Sequence, residues 1–216
     1  FQKSLNKRRI YKQNLSSAFM FILTVSSVLL LLAMIVGLYI KSMPILQENS
    51  FWDLVTSSVW KPSQKKFGFL PFISGTLAVT FIAICISLPL SLLTAISLTE
   101  YSKKIVRKFV LPALDILAAL PSVIYGVWGI LLLIPVTGYS ILTASLVLCV
   151  MVLPIMVSLF VEIFSSVPQD LRDASMSLGA TQWQTTRRVV LRKSMSGIFA
   201  AVVLALSKAM GETIAV

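Results

Sequence analysis

Long uncharged stretches of this chain alternate with short charged ones, and their lengths predict membrane-spanning helices. Residues 18–40 form an apolar run that is longer than the roughly 20 residues needed to cross a hydrocarbon core about 30 Å thick. Three further apolar runs cover residues 67–99, residues 116–161 and residues 194–216. The middle one is long enough for two spans with a turn near Thr137 and Gly138. The pattern therefore predicts five spans.

The amino-acid composition is that of an integral membrane protein. Hydrophobic residues make up 57% and charged residues 12% of the sequence, outside the range of soluble domains. The net charge of +11 lies in short clusters between apolar runs, which argues against a nucleic-acid-binding surface. Cys85 and Cys149 both lie inside apolar runs and histidine is absent, so the residues offer neither a disulfide framework nor metal-ligand spacing.

A cleaved signal peptide is the alternative interpretation of the first apolar run. Its hydrophobic core would have about 7–15 residues and would end at a small-residue cleavage site. Residues 18–40 are longer and carry no such site, so we interpret them as the first transmembrane helix. The preceding residues 1–17 form a basic N-terminus, and residues 41–66 form a loop before the membrane domain, residues 67–216.

The distribution of Lys and Arg orients the spans. Segments 1–17, 100–108 and 165–193 carry 14 basic residues, whereas the loops on the opposite side carry 4. The positive-inside rule therefore predicts a cytoplasmic N-terminus. An odd number of spans leaves the end of the chain outside, directly after an apolar run, so we expect the native protein to continue into at least one more span.

A polar segment, residues 165–193, separates the fourth and fifth predicted spans and carries helix signals. Ser166 followed by Gln169 predicts a capping box, with Pro168 at the first helical position. Gly179 supplies the left-handed residue that ends such a helix after about three turns. The sequence thus predicts a short helix on the cytoplasmic side.

A second helix follows in the polar segment. Thr181 and Gln184 predict another capping box, and the helix beginning there carries basic residues toward the membrane surface. These are Arg187, Arg188, Arg192 and Lys193. Two short helices joined at a glycine are typical of a knob that fills a groove on a partner. Two alternatives stay open from the residues alone: a connecting loop that rests on lipid headgroups, and a DNA-binding helix-turn-helix.

Six residues of the polar segment resemble the cytoplasmic signature of ABC importer permeases, which reads E-A-A, three residues, G, nine residues and I-x-L-P. The matching residues are Asp173, Ala174, Ser175, Gly179, Val189 and Leu191. Asp173, Ser175 and Val189 are mild departures from the signature. Arg192 stands where the signature has proline, so the helix stop that proline would provide is missing. The resemblance implies an all-α membrane protein with a type I ABC importer transmembrane domain, five spans present and a sixth expected after residue 216. It further implies that the helices over residues 167–191 dock into a cleft of a separate ATPase subunit.

Four further strings resemble the PstC-type permease subunit of phosphate ABC importers. They are FGFLPFISGTL at 67–77, LAALPSVIYGVWG at 117–129, MVLP at 151–154 and LSKAMGETIAV at 206–216. The resemblance implies an ATP-driven phosphate importer in a bacterial inner membrane. The implied partners are a PstB-type ATP-binding subunit, a PstA-type second permease subunit, a PstS-type external phosphate-binding protein and the lipid bilayer. A permease for another oxyanion, such as sulfate or molybdate, is the alternative.

Lys208 and Glu212 stand inside the last apolar segment, where each charge costs about 2.5–3.5 kcal/mol on insertion scales. In a helix they share one face, with Lys208 roughly 20 Å beyond Ser194. We predict that Lys208 offers a cation to passing phosphate and that Glu212 holds Lys208 when the path is empty. The family pattern implies an arginine at 208, and lysine makes a less directional contact. A pair that only seals the helix against its neighbours is the alternative.

Further polar residues in the third span are weaker candidates. Ser122 and Tyr125 are predicted to line the path beside Pro121, where proline permits a kink. Asp115 is predicted to pair with a basic residue at 107–108 or to reach the membrane interface.

The chain carries no signature of an enzyme. It lacks a phosphate-cradling G-x-x-x-x-G-K-[ST] loop, paired catalytic carboxylates and a nucleophile with a base. We therefore predict a transport subunit without a cofactor, with ATP hydrolysis on the partner. An intramembrane enzyme or sensor is the alternative class.

Overall fold

The computed structural model describes residues 2–62 and 66–212 and divides the chain into two compact units, Phe1–Leu70 and Pro71–Val216. In the first unit, helix α1 (Gln2–Glu48) continues without a break through the predicted basic N-terminus and the first span. The predicted loop after it contains a short helix, α2 (Phe51–Thr56), and a two-stranded antiparallel hairpin. Strand β1 (Trp60–Lys61) pairs with β2 (Lys66–Phe67).

Helices make up the second unit. They are α3 (Leu70–Ile96), which begins at the unit boundary, α4 (Lys104–Ala119), α5 (Ser122–Trp128), α6 (Ile134–Thr137), α7 (Ile141–Ser165), α8 (Gln169–Ser177), α9 (Gln182–Thr185), α10 (Leu191–Lys193) and α11 (Met195–Gly211). Three π-helical turns extend or join them: Ser97–Tyr101 after α3, Gly129–Leu133 between α5 and α6, and Thr186–Val190 between α9 and α10.

The helix lengths agree with the predicted spans. Three helical stretches are long and apolar enough to cross a membrane by themselves: Ser16–Gln47, Leu70–Tyr101 and Ile141–Ser165. Two bent pairs qualify when each pair is counted as one span. These are Lys104–Ala119 with Ser122–Thr137, bent by 90°, and Gln182–Lys193 with Met195–Gly211, bent by 66°. Counted in this way, the described residues contain five candidate spans.

Local backbone chemistry explains the breaks between helices. Leu120 is extended (ψ 138°) because it precedes Pro121, whose ring disfavours the α conformation in the residue before it. The predicted turn near Thr137 and Gly138 is confirmed: α6 ends at Thr137, and Gly138 adopts a positive φ of 70°. Ser194, at the second bend, has φ −89° and ψ 0°.

Helix α7 forms the centre of the second unit. Of its most apolar window, 61% is buried inside the protein, against 44% for the window that contains α3. Phe160 and Phe164 are completely buried and stack with ring centroids 6.2 Å apart. Helices α4 and α11 both pack against α7. The contact with α11 needs a glycine, since a Cβ at Gly197 would lie 2.8 Å from Cγ2 of Ile163.

Polar contacts also join α4 to α7. The guanidinium of Arg107 donates to Ser165 Oγ at 2.6 Å, and Ser158 Oγ donates to Asp115 Oδ1 at 3.4 Å. The predicted pairing of Asp115 with Arg107 or Lys108 therefore does not form among the described residues. Two helical turns separate these positions on α4, and their side chains reach the neighbouring helix instead.

Candidate functional site

The polar segment folds into two short helices, as predicted, but its first helix begins differently. Pro168, not Ser166, is the N-cap of α8, with extended backbone (ψ 139°). Ser166 still belongs to the end of α7, where its hydroxyl donates to the carbonyl of Ile163 at 2.7 Å. The predicted capping box of Ser166 and Gln169 is therefore wrong. Gln169 Nε2 donates to Asp173 Oδ1 at 3.1 Å instead.

The junction of the two helices forms as the sequence predicts. Gly179 follows α8 with a φ of +86°, a conformation that glycine adopts without a steric penalty. At the start of α9, the backbone N–H of Gln184 donates to Thr181 Oγ1 at 3.3 Å. In return, the N–H of Thr181 donates to Gln184 Oε1 at 3.0 Å, which completes the second capping box.

The surface of this two-helix segment carries apolar side chains. Leu178 is 90% exposed, the largest such value among the exposed large hydrophobic residues, and Trp183 is 52% exposed. Met176 and Leu171 are also exposed. The junction of the two helices therefore presents an exposed leucine beside further exposed apolar side chains.

The residue that α8 does bury is a charged one. The side chain of Arg172 is 11% exposed and that of its partner Glu100 is 7% exposed. The guanidinium donates through Nη2 to Glu100 Oε1 at 3.0 Å and through Nε to Oε2 at 3.3 Å. This bidentate, charge-assisted arrangement is among the strong side-chain interactions in proteins.

The same guanidinium also satisfies the end of α7. Arg172 Nη1 donates to the carbonyl of Val167 at 2.5 Å, and Nη2 donates to that of Phe164 at 2.7 Å. The carbonyl of Val167 lies just beyond α7, and that of Phe164 lies in its last turn, where the residue four positions on is Pro168 and offers no N–H group. Arg172 therefore joins α8, the end of α7 and the π-helical turn after α3.

The second helix of the segment is attached to the same place. Gln182 Nε2 donates to the backbone carbonyl of Glu100. The hydroxyls of Ser175 and Thr185 lie 3.0 Å apart and link α8 to α9. A polar cavity of about 260 Å³ lies beside these contacts, and Arg107 is among the residues that line it. The two helices are thus held as one body against α3 and α7.

Each residue of the predicted signature has a defined place in this body. Asp173 and Ala174 are exposed on α8, and Ser175 makes the contact with α9. Gly179 forms the junction. The remaining two residues, Val189 and Leu191, are half-buried, and Leu191 packs against the hydrophobic core.

Sequence reasoning missed the pair of Glu100 and Arg172. The available signal was the position of Glu100, the first charge after the long uncharged run of residues 67–99. A charge at the end of a span beside a polar segment is a candidate for pairing with that segment.

The structure gives the four predicted path residues different environments. Tyr125 is buried, and its hydroxyl donates to the carbonyl of Leu117 at 2.7 Å across the bend between α4 and α5. Ser122 is the first residue of α5 and is half-buried. Lys208 is exposed on α11, which ends at Gly211.

Glu212 lies just beyond the helix on which the predicted pair depends. Its backbone (φ −86°, ψ 87°) is not helical, and it forms no ion pair with Lys208 within the described part of the chain. No hydrogen bond in residues 2–62 and 66–212 joins Ser122 or Tyr125 to either residue. The last four residues of the string LSKAMGETIAV lie outside the described residues.

Helices long enough to cross a membrane, together with a polar two-helix segment fixed to their ends, are the architecture of a membrane-embedded subunit. The chain belongs to the family of binding-protein-dependent transport system inner membrane components, whose model matches residues 87–216.

Several curated relatives are similar to most of this chain. A probable ABC transporter permease protein, YqgH of Bacillus subtilis, is 38% identical over 174 residues, which cover 76% of this chain and 56% of the relative. The phosphate transport system permease protein PstC of Mesorhizobium japonicum is 35% identical over 76% of this chain and 59% of its own length. PstC of Haemophilus influenzae is 31% identical over 87% of this chain and 68% of its own length. The chain thus spans little more than half the length of the first two relatives.

A solved structure has the same fold. It is an inward-facing conformation of the MetNI methionine ABC transporter, which superposes with a TM-score of 0.52 over 64% of this chain and 66% of that chain, at 24% identity. The all-α fold of a type I ABC importer, predicted from the sequence, is confirmed.

Proposed function

We propose that the chain is a permease subunit of an ATP-driven phosphate importer. The observation that carries the proposal is the polar segment, which contains the signature residues and is attached through Arg172 to α7 and to the π-helical turn after α3. Similarity to several phosphate transport permeases supports phosphate as the substrate. The proposed partners are an ATP-binding subunit, a second permease subunit and an external binding protein.

The exposed leucine of the polar segment is the proposed anchor for the ATPase. Leu178 is 90% exposed, and burying a leucine side chain is worth about 1.5–3 kcal/mol. Because Arg172 ties α8 to α3 and α7, a displacement of this anchor moves the ends of two spans together. This arrangement supports a mechanism in which closure of the ATPase is transmitted to the membrane helices.

Co-purification of the assembly tests the anchor. Leu178→Ala should lower recovery of the ATPase subunit on the order of tenfold, since each 1.4 kcal/mol is a tenfold change in affinity. Val136→Ala is the matched control, because Val136 is also a highly exposed apolar residue (83%) but lies at the opposite end of α7 from the polar segment. Equal recovery with both variants would contradict the docking role of Leu178.

The substrate path is proposed to include Lys208, Glu212, Ser122 and Tyr125. Lys208 is exposed and forms no ion pair among the described residues, so its ammonium is available to an anion. Lys208→Ala and Glu212→Gln should lower phosphate uptake in assemblies that retain all subunits. Normal uptake in both variants would refute the path role.

Competition distinguishes phosphate from other oxyanions. Labelled phosphate uptake should be suppressed by excess unlabelled phosphate and not by sulfate or molybdate. Suppression by sulfate or molybdate alone would favour the alternative permease.

The proposed topology places the N-terminus and the polar segment in the cytoplasm of a bacterial cell. Its support is the excess of Lys and Arg on that side. Cysteine introduced at Lys104 should be labelled by an impermeant maleimide only in inside-out vesicles, and cysteine at Lys61 only in intact spheroplasts. The reverse pattern would invert the topology.

A further inference from the structure

An unexplained groove lies where the polar segment turns into the last span. It has a volume of about 500 Å³ and is lined by Arg187, Arg188, Leu191, Arg192 and Met195. The first four residues belong to the arm before the bend, and Met195 begins α11 after it. We call this feature the arginine groove.

The cations of the groove have no side-chain partner in the described part of the chain. None of the three arginines forms a hydrogen bond or an ion pair with another side chain in residues 2–62 and 66–212. The opposite side of the same helical arm is buried, with Thr186 and Val190 fully inside. The arginines are therefore held on the outer face by a packed inner face.

The geometry of the bend suits a membrane interface. The arm Gln182–Lys193 turns by 66° relative to Met195–Gly211, so the arm is far from parallel to the span that follows it. A basic helix that lies at a steep angle to a span, directly at its start, occupies the headgroup region.

An apolar ridge continues from the groove along the span. Met195, Phe199 and Val203 are spaced four residues apart on α11 and are exposed to 67%, 72% and 47%. Residues at this spacing share one helix face. The groove thus combines three cations at its head with a hydrocarbon surface that leads away from it.

We propose that the arginine groove binds an anionic glycerophospholipid, with the phosphate headgroup on the arginines and an acyl chain along Met195 and Phe199. Arginine presents a planar fork that matches phosphate oxygens in two-point contacts. An acidic protein surface would satisfy the charges but would leave the apolar ridge uncovered, whereas one lipid molecule covers both parts. This inference concerns lipid binding and does not depend on the transported substrate.

Native mass spectrometry of the purified full chain in neutral detergent tests the proposal. The protein is titrated with phosphatidylglycerol and, separately, with phosphatidylcholine of the same acyl chains. The variant carries Arg187→Gln, Arg188→Gln and Arg192→Gln. The matched control carries Lys103→Gln, Lys104→Gln and Lys108→Gln, which removes three exposed positive charges elsewhere.

We expect the wild type and the lysine control to retain phosphatidylglycerol in preference to phosphatidylcholine. The arginine variant should bind phosphatidylglycerol at least about tenfold more weakly, because several basic residues near an anionic lipid act together. Added salt should weaken binding to the wild type. If the triple variant does not fold, Arg192→Gln alone should show a smaller loss of the same lipid preference.

Three results would overturn the proposal. The first is unchanged phosphatidylglycerol binding in the arginine variant, and the second is an equal loss in the lysine control. The third is full competition by inorganic phosphate or by glycerophosphoglycerol without acyl chains, since this would show that the groove recognises a free anion rather than a lipid.

Discussion

Replacing Arg172 should destabilise the protein far more than replacing an exposed arginine. Arg172→Met leaves the Glu100 carboxylate, whose side chain is 7% exposed, without its charge partner and removes the donors to the carbonyls of Phe164 in α7 and of Val167 just beyond it. Breaking a buried pair from one side costs about 3–5 kcal/mol. At about 2–4 °C per kcal/mol for a chain of this size, the apparent Tm should fall by roughly 6–20 °C.

The double variant Arg172→Met with Glu100→Gln separates the pair from its individual groups. Removing both charges abolishes the unpaired carboxylate, so the double variant should be more stable than Arg172→Met alone by about 2 kcal/mol or more. This gain should appear although two residues are changed instead of one.

A thiol-reactive fluorogenic dye measures the unfolding. Cys149 is buried in α7 at 4% exposure and becomes reactive when the helices separate, while Cys85→Ser removes the exposed thiol from the background. Arg188→Met, measured in lipid-free detergent, is the matched control because Arg188 is exposed and has no partner among the described residues. Glu100→Gln is also measured alone. If Arg172→Met melts within about 2 °C of the wild type, or if the effect of the double variant equals the sum of the effects of Arg172→Met and Glu100→Gln, the structural role assigned to the pair is refuted.

Two further predictions concern the local structure, and the same dye assay measures both. Thr181→Ala should lower stability by about 1 kcal/mol because it removes the capping box of α9. Ser166→Ala should cost less, since Ser166 makes no N-cap bond to α8 and loses only an exposed hydrogen bond to the Ile163 carbonyl at the end of α7; equal effects would contradict the assigned caps. Gly129→Ala should cost about 1–3 kcal/mol because its Cβ would lie 2.4 Å from Val147 Cγ2, whereas Gly75→Ala meets nothing within 4 Å and should be neutral or stabilising. A neutral Gly129→Ala would show that the π-helical turn at Gly129 and α7 can separate without cost.

Several features were predictable because short-range physics determines them. The length of an uncharged run decides whether a helix can cross the membrane, and the five predicted spans agree with the candidate spans of the structure. Gly179 was assigned a left-handed conformation because a helix that ends at a glycine favours it. The capping box of Thr181 and Gln184 joins groups three residues apart.

The wrong predictions failed where local signals compete or where partners are distant. Ser166 and Gln169 have the spacing of a capping box, but α7 extends to this point. The hydroxyl of Ser166 therefore donates to the Ile163 carbonyl in the last turn of α7. The predicted Asp115 pairing on α4 failed because the side chain instead accepts a hydrogen bond from Ser158 on α7. The pairing of Lys208 with Glu212 stays a prediction, since α11 ends at Gly211 and residues 213–216 lie outside the described part of the chain.

The membrane-spanning character of the chain, its family resemblance and the two short helices of the polar segment can all be inferred from the sequence, because each depends on residues that are close together in the chain. The contacts that hold the polar segment in place become visible only in the folded protein. Arg172 and Glu100 are 72 residues apart and meet only because the start of α8 lies beside the end of α7 and the π-helical turn after α3. The same holds for the arginine groove, since a 66° turn at Ser194 brings its cations beside the apolar ridge of α11. The pattern of charges along the chain cannot specify that angle, which depends on how the buried faces of the two arms pack against α7 and its neighbours.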